Sequence, residues 1–128
     1  MAKRVLVIDD DTAILEVIGG ILSYEDYDVK TSVTPQDLDS DISEFNPDLI
    51  LLDINLGSFN GLQICRTLKA NPDTKHIPVI ILSADDSIFD AIQIFGANDI
   101  ILKPLDMNVL LETVGKYLLA PVIQLHRY

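Results

Sequence analysis

Short, unbroken apolar runs punctuate the chain: Val5-Leu6-Val7-Ile8, Leu49-Ile50-Leu51-Leu52, Val79-Ile80-Ile81-Leu82 and Ile100-Ile101-Leu102. A continuous run, rather than an alternating one, is the signature of a strand covered by helices on both faces. A weaker segment, Asp28-Val29-Lys30-Thr31-Ser32, does alternate, and it predicts an edge strand with one wetter face. Helical patterns fill the gaps. Ile14, Leu15, Val17, Ile18, Ile21 and Leu22 form the apolar stripe of a first helix. Thr34-Pro35 predicts the start of a second, with threonine as the cap and proline at the first helical position. Asn60-Gly61 opens a third, running to about Ala70 and closed by Asn71-Pro72. A fourth is expected from about Ser87 to Phe95, stopped by Gly96, and a fifth from about Asp106 to Leu119, stopped by Pro121.

The pattern is strand–helix, repeated about five times. Such a repeat folds as a parallel α/β sheet with right-handed crossovers and helices on both faces, a doubly wound three-layer sandwich. Residues 1–120 make one domain, and 121–128 read as an apolar tail or the start of a linker.

Composition narrows the function. The 128 residues carry 20 Asp and Glu against 9 Lys and Arg, a formal charge of −11. An acidic domain of this kind is a poor direct ligand for nucleic acid or an anionic membrane, both of which select basic faces. One cysteine, Cys65, excludes an internal disulfide and falls at helical spacing with Leu62 and Leu68, as a core residue would. No apolar stretch approaches the ~20 residues of a membrane span. The expectation is a soluble, cytoplasmic protein.

The chemistry gathers where the strands end, since open α/β sheets bind ligands beyond their carboxyl edges. Asp9, Asp10 and Asp11 follow the first run, Asp53 follows Leu52, Ser83 follows Leu82, and Lys103 follows Leu102. Two carboxylates ~4 Å apart repel by up to ~4 kcal/mol at an effective dielectric of 20, so this convergence calls for a cation. Oxygen donors without nearby histidine or cysteine suit Mg²⁺. Carboxylates, a divalent cation, a lysine and a hydroxyl together stabilise a phosphoryl group in transfer. Asp53, alone at the end of a central strand, is the candidate nucleophile. Asp11 is left as a surface charge.

These residues resemble the receiver domain of bacterial response regulators in two-component signalling. Val5 through Asp11, Leu51-Leu52-Asp53-Ile54-Asn55, Ser83-Ala84 and Lys103-Pro104 occur in that family's order over residues 3–120. Gly61 and Gly96-Ala97-Asn98-Asp99 match as well. The resemblance implies a chemotaxis-regulator-like sheet of order 2-1-3-4-5. It further implies that Asp53 accepts a phosphoryl group from a sensor histidine kinase or histidine phosphotransfer protein. Asp9, Asp10, Asp53 and the backbone carbonyl of Asn55 would then hold Mg²⁺. Ser83 would bond the phosphoryl oxygen, and Lys103, with a cis bond to Pro104, would pair with Asp53 before transfer and with the phosphate after it. Asn55 and Asp85 lie where the family tunes hydrolysis of its acyl phosphate. The protein would be a signalling switch rather than an enzyme acting on an external substrate.

The chain departs from the family pattern in places. Ile100 stands three residues before Lys103, where an aromatic toggle is common, and the Ser83–Gly96 interval is short. Gly57 replaces a common proline, which predicts a looser loop after Asp53. Surplus apolar residues, Ile88, Phe89, Ile92, Ile94 and Phe95 with Ile100, point to a partner or homodimer surface on the fourth helix, fifth strand and fifth helix. Two alternatives fail on residues. A flavodoxin-like cofactor site would place phosphate against three aspartates, and an aspartate-nucleophile phosphatase wants an acid where Asn55 stands. A receiver that works without phosphorylation stays open.

Overall fold

A computed structural model describes residues 2–85 and 91–119, with positions 91 and 92 described by their backbone alone. The apolar runs become β1 (Arg4–Ile8), β3 (Leu49–Asp53), β4 (Val79–Ser83) and β5 (Asp99–Leu102), and the alternating segment becomes β2 (Asp28–Ser32). They form one parallel sheet in the order β2-β1-β3-β4-β5. The helices are α1 (Thr12–Tyr24), α2 (Leu38–Phe45), α3 (Gly61–Ala70), α4 (Ala91–Phe95) and α5 (Met107–Leu118). The amino end of the expected fourth helix, with Ile88 and Phe89, and the tail from residue 120 lie outside the described residues, as does the side chain of Ile92.

Successive strand residues point to opposite faces, so each continuous run feeds two cores. Val5, Val7, Leu49, Leu51, Ile80 and Leu82 pack on α1 and α5 through Leu15, Ile18, Leu110 and Val114. Leu6, Ile8, Ile50, Leu52, Val79 and Ile81 pack on the other side against Leu38 of α2 and Cys65 and Leu68 of α3. Burying a Leu or Ile of this kind is worth roughly 1.5–3 kcal/mol, so the three central strands dominate the fold.

Four local expectations are corrected. Val17 does not join the buried stripe of α1: it is 52% exposed, because Leu15, Ile18 and Leu22 already fill the contact with the sheet. β5 is covered less fully than its continuous run predicts: Ile101 is buried in one core and Ile100 packs half-buried against the other, but Leu102, at the end of this outer strand, is exposed. α2 starts at Leu38 instead of Pro35. Thr34 Oγ1 accepts from the Gln36 amide at 3.2 Å, and the Leu38 amide donates to the Pro35 carbonyl at 3.1 Å, so threonine and proline build a turn first. Asp11 is more than a surface charge: its carboxylate caps α1, accepting from the amides of Ala13 and Ile14.

Candidate functional site

Register brings the strand ends to one rim. Ile8 is level with Leu52, Asp53 with Leu82, and Ser83 with Leu102. Asp9, Asp53, Ser83 and Lys103 therefore emerge side by side from four adjacent strands.

Asp9 and Asp53 are buried, at 0% and 6% exposure, whereas Asp10 is exposed. Carboxylate oxygens of the three lie within 4.8 Å of one another, close enough to share a metal ion. Lys103 supplies the positive charge. Its Nζ donates to Asp53 Oδ1 at 3.2 Å and lies 2.9 Å from Asp9 Oδ2. That Asp9 oxygen is buried, and the Lys103 ammonium is its close partner. Asp9 Oδ1 accepts from the Asp11 amide at 2.9 Å, which fixes its orientation.

One ammonium thus answers two buried carboxylates. Burial, the largest influence, and then the charge of Asp9 raise Asp53 above the ordinary carboxylate value, against the pull of Lys103. Lys103 is also raised: burial works against its charge, but the bonds and charges of Asp9 and Asp53 outweigh it. The donor set fits a hard divalent cation, because it is all oxygen, partly buried and short of positive charge.

Ser83 is buried, and its hydroxyl is engaged with the next turn, donating to the Asp85 carbonyl at 3.1 Å and accepting from the Asp85 amide at 2.9 Å. The Lys103–Pro104 bond is cis, and the Lys103 amide donates to the Ser83 carbonyl at 2.8 Å, tying β5 to β4 at the rim.

The loop after Asp53 is a tight hairpin in which Asn55 pairs with Asn60 and Leu56 with Phe59. Gly57, expected to loosen it, takes the left-handed position of its turn at φ 66°. Asn60 then caps α3, accepting from the amides of Leu62 and Gln63. Gly61 matters through its missing side chain. A Cβ there would meet Ile54 Cα at 2.8 Å and the Asp53 carbonyl carbon at 2.9 Å, so only glycine lets α3 start against the backbone that presents Asp53. Sequence reading noted Gly61 as a motif match, and its steric role needed the tertiary contact.

The Asn98-Asp99 step serves the other end of β5. Asn98 exchanges hydrogen bonds with Val79 at the start of β4. Asp99 Oδ2 receives Lys116 Nζ at 3.0 Å and the Tyr117 hydroxyl at 3.0 Å, a cluster that sequence reading missed because its members lie 17 and 18 residues apart. His76 is exposed, and Cys65 is fully buried with its thiol pushed up to about 11, as expected of a packing residue.

Residues 5–115 match the family model of the response regulator receiver domain. The chain belongs to that family. Receiver domains are signalling modules of two-component systems, and the fold agrees. The receiver is 36% identical over 116 residues to the response regulator PleD of Caulobacter vibrioides, covering 89% of this chain and 26% of PleD. It resembles the beryllofluoride-activated receiver domain of DrrB, a Thermotoga maritima protein, at 31% identity and TM-score 0.80, covering 92% of this chain and 98% of the other. Vibrio cholerae CheY4, at 22% identity and TM-score 0.84 over 92% of this chain and all of CheY4, shares the fold. The chain spans from about a quarter to half the length of the curated relatives it matches. Among the described residues, no helix is long and apolar enough to cross a membrane.

Proposed function

We propose that this receiver is a phosphorylation-activated switch in which Asp53 takes a phosphoryl group from a phosphohistidine in a Mg²⁺-dependent reaction. The observation carrying this reading is the sharing of Lys103 between Asp9 and Asp53, with a third carboxylate beside them. An ionised Asp53 oxygen attacks phosphorus as the bond to the donor imidazole nitrogen breaks, and that electron pair leaves with the imidazole. Lys103 already sits on Asp53 and meets the phosphoryl oxygens without travelling far. Ser83 turns its hydroxyl from the Asp85 backbone to a phosphoryl oxygen, which loosens the turn leading toward α4. Asp9, Asp10, Asp53 and the Asn55 carbonyl would hold Mg²⁺, which would supply charge neutralisation for the transferring group. Asn55 and Asp85 set the slow hydrolysis of the product.

The donor is a cytoplasmic sensor histidine kinase or phosphotransfer protein. Supporting this, an apolar groove of about 250 Å³ lined by Ala13, Ile14, Val17, Pro104 and Leu105 adjoins Lys103, offering a helical donor a seat beside the nucleophile. A second surface supports a homodimer through α4, β5 and α5, where Ile94, Leu102 and Val109 are exposed at 63%, 38% and 45%. With Ile100 in place of an aromatic toggle, that surface changes through the backbone of the Ser83–Asp85 turn.

Incubation with acetyl phosphate and Mg²⁺, read by intact mass, tests the chemistry. One labile adduct is expected, abolished by EDTA and by Asp53→Asn. An unchanged mass, or an adduct that survives Asp53→Asn, would overturn it.

A further inference from the structure

We infer that Asp11 is a positioning residue for the proposed Mg²⁺ site, on which this inference rests: by capping α1 it holds the Asp9 carboxylate in the orientation that the site uses. Two turns of the same kind follow one another here. Asp9 Oδ1 accepts from the Asp11 amide at 2.9 Å. Asp11 Oδ1 in turn accepts from the amides of Ala13 at 2.9 Å and Ile14 at 3.4 Å, and the Asp11 carbonyl takes the Leu15 amide at 3.1 Å. One residue spends its amide on a rim carboxylate and its oxygens on the first turn of α1.

The backbone of Asp9 is fixed from the other side, because its amide donates to the Ser32 carbonyl at 3.1 Å. What stays free is rotation of the carboxylate, and the Asp11 amide stops it. That amide faces Asp9 while Asp11 keeps the extended backbone of a cap, with φ −88° and ψ 106°. The bonds from Ala13 and Ile14 select this conformation, and an alanine, which has no side-chain acceptor, does not. Lys103 approaches the other Asp9 oxygen but is shared with Asp53. Asp11 itself is exposed and outside the cluster formed by Asp9, Asp10 and Asp53, so its influence on a cation runs through Asp9. α5 supplies a matched control. Asp106 caps it in the same way, accepting from the amides of Asn108 at 2.8 Å and Val109 at 3.1 Å, with no rim carboxylate in the arrangement.

The test titrates the full, ¹⁵N-labelled chain with MgCl₂ and follows the amides of Asp10 and Asp53. Protection of the residue-11 amide against hydrogen exchange, measured in EDTA, reads the contact with Asp9 without metal. Asp11→Ala should weaken Mg²⁺ about fivefold, the equivalent of the ~1 kcal/mol that a lost cap costs, and should strip protection from that amide. Asp11→Asn caps as well without the charge, and should keep both the protection and an affinity within about twofold of wild type. Asp106→Ala should lower the melting temperature much as Asp11→Ala does, with Mg²⁺ affinity unchanged. Equal affinities of Asp11→Ala and wild type would overturn the assignment. So would an Asp11→Asn as weak as Asp11→Ala, which would show action by charge, or an Asp106→Ala equally impaired, which would show loss of stability alone. A wild-type chain that binds Mg²⁺ yet forms no adduct with acetyl phosphate would overturn the proposed phosphorylation and not the role of Asp11.

Discussion

At the carboxyl end of β5, Lys103 faces two buried carboxylates, Asp9 and Asp53; at its amino end, Asp99 faces Lys116 and the Tyr117 hydroxyl near the surface. The pairs look alike in a list of ion pairs and differ in physics. Asp53 is lifted above the ordinary carboxylate value, because burial and Asp9 outweigh its share of Lys103. Asp99 is lowered: burial pushes it up, but hydrogen bonds from Lys116, the Ile100 amide and Tyr117 prevail. Donors and charges balance at the amino end and fall short at the carboxyl end. A local deficit of positive charge, more than the presence of a lysine–carboxylate pair, marks the candidate reactive site.

The largest expected effect comes from removing each lysine in turn. Lys103→Met should slow adduct formation from acetyl phosphate by ~100-fold or more, since a preorganised charge on the transferring group is lost. It should also lower the unfolding free energy in EDTA by ~3 kcal/mol, because Asp9 is left buried without a counter-charge. Lys116→Met should leave adduct formation unchanged and barely move the melting temperature, as expected of an exposed pair. Comparable losses in both variants would erase the distinction between the two ends.

Gly61→Ala probes the rim without altering its charge. The added Cβ forces the Asp53–Ile54 backbone to move, at a cost of about 1–3 kcal/mol by denaturant unfolding, and adduct formation should slow with it. Gly20, inside α1 with nothing within 4 Å of an added Cβ, is the control: Gly20→Ala should stabilise by ~0.5–1 kcal/mol.

Mg²⁺ should raise stability by about 1.4 kcal/mol at ten times its Kd. That gain should vanish in Asp53→Asn and persist in Asp99→Asn, as read by thermal melts across a Mg²⁺ titration. The smallest effect lies in pH. With metal chelated, Asp53 binds its proton more tightly folded than unfolded, so its ionisation lowers stability as pH rises from its ordinary 3.8 through its raised folded value. Asp99 has the opposite sign: its contribution is complete above 3.8 and is lost as pH falls through its depressed folded value. Unfolding of Asp53→Asn and Asp99→Asn between pH 3 and 6 (~3 units of pH around the ordinary carboxylate range) should separate the two slopes. Parallel profiles would refute the contrast.

The same division between local and distant information explains what was legible beforehand. Asp9, Asp53, Ser83 and Lys103 could be read as rim residues because each directly follows an apolar run, and the end of a run is a local signal. The turn at Pro35 that delays α2 depends on Thr34 Oγ1 capping Gln36, a choice between two local bonds that composition does not rank. Val17 could not be separated from Ile18 by periodicity, since both fall on a wide apolar stripe, and only the sheet's width limits what α1 buries. The exposure of Leu102 has a related reason: an apolar run reports hydrophobicity, whereas being an outer strand depends on the order in which strands pair.

The sequence by itself determined the strands, their alternation with helices, and the family to which the chain belongs, because these rest on runs, caps and motifs that neighbouring residues encode. Tertiary structure alone decided how charge is shared. Asp9 and Asp53 are 44 positions apart and Lys103 lies 50 beyond Asp53; the register of four strands makes them one cluster around a single ammonium. Electrostatic energy depends on distance and burial in space. For that reason −11 is a property of the chain, and the deficit at Asp53 is a property of the fold.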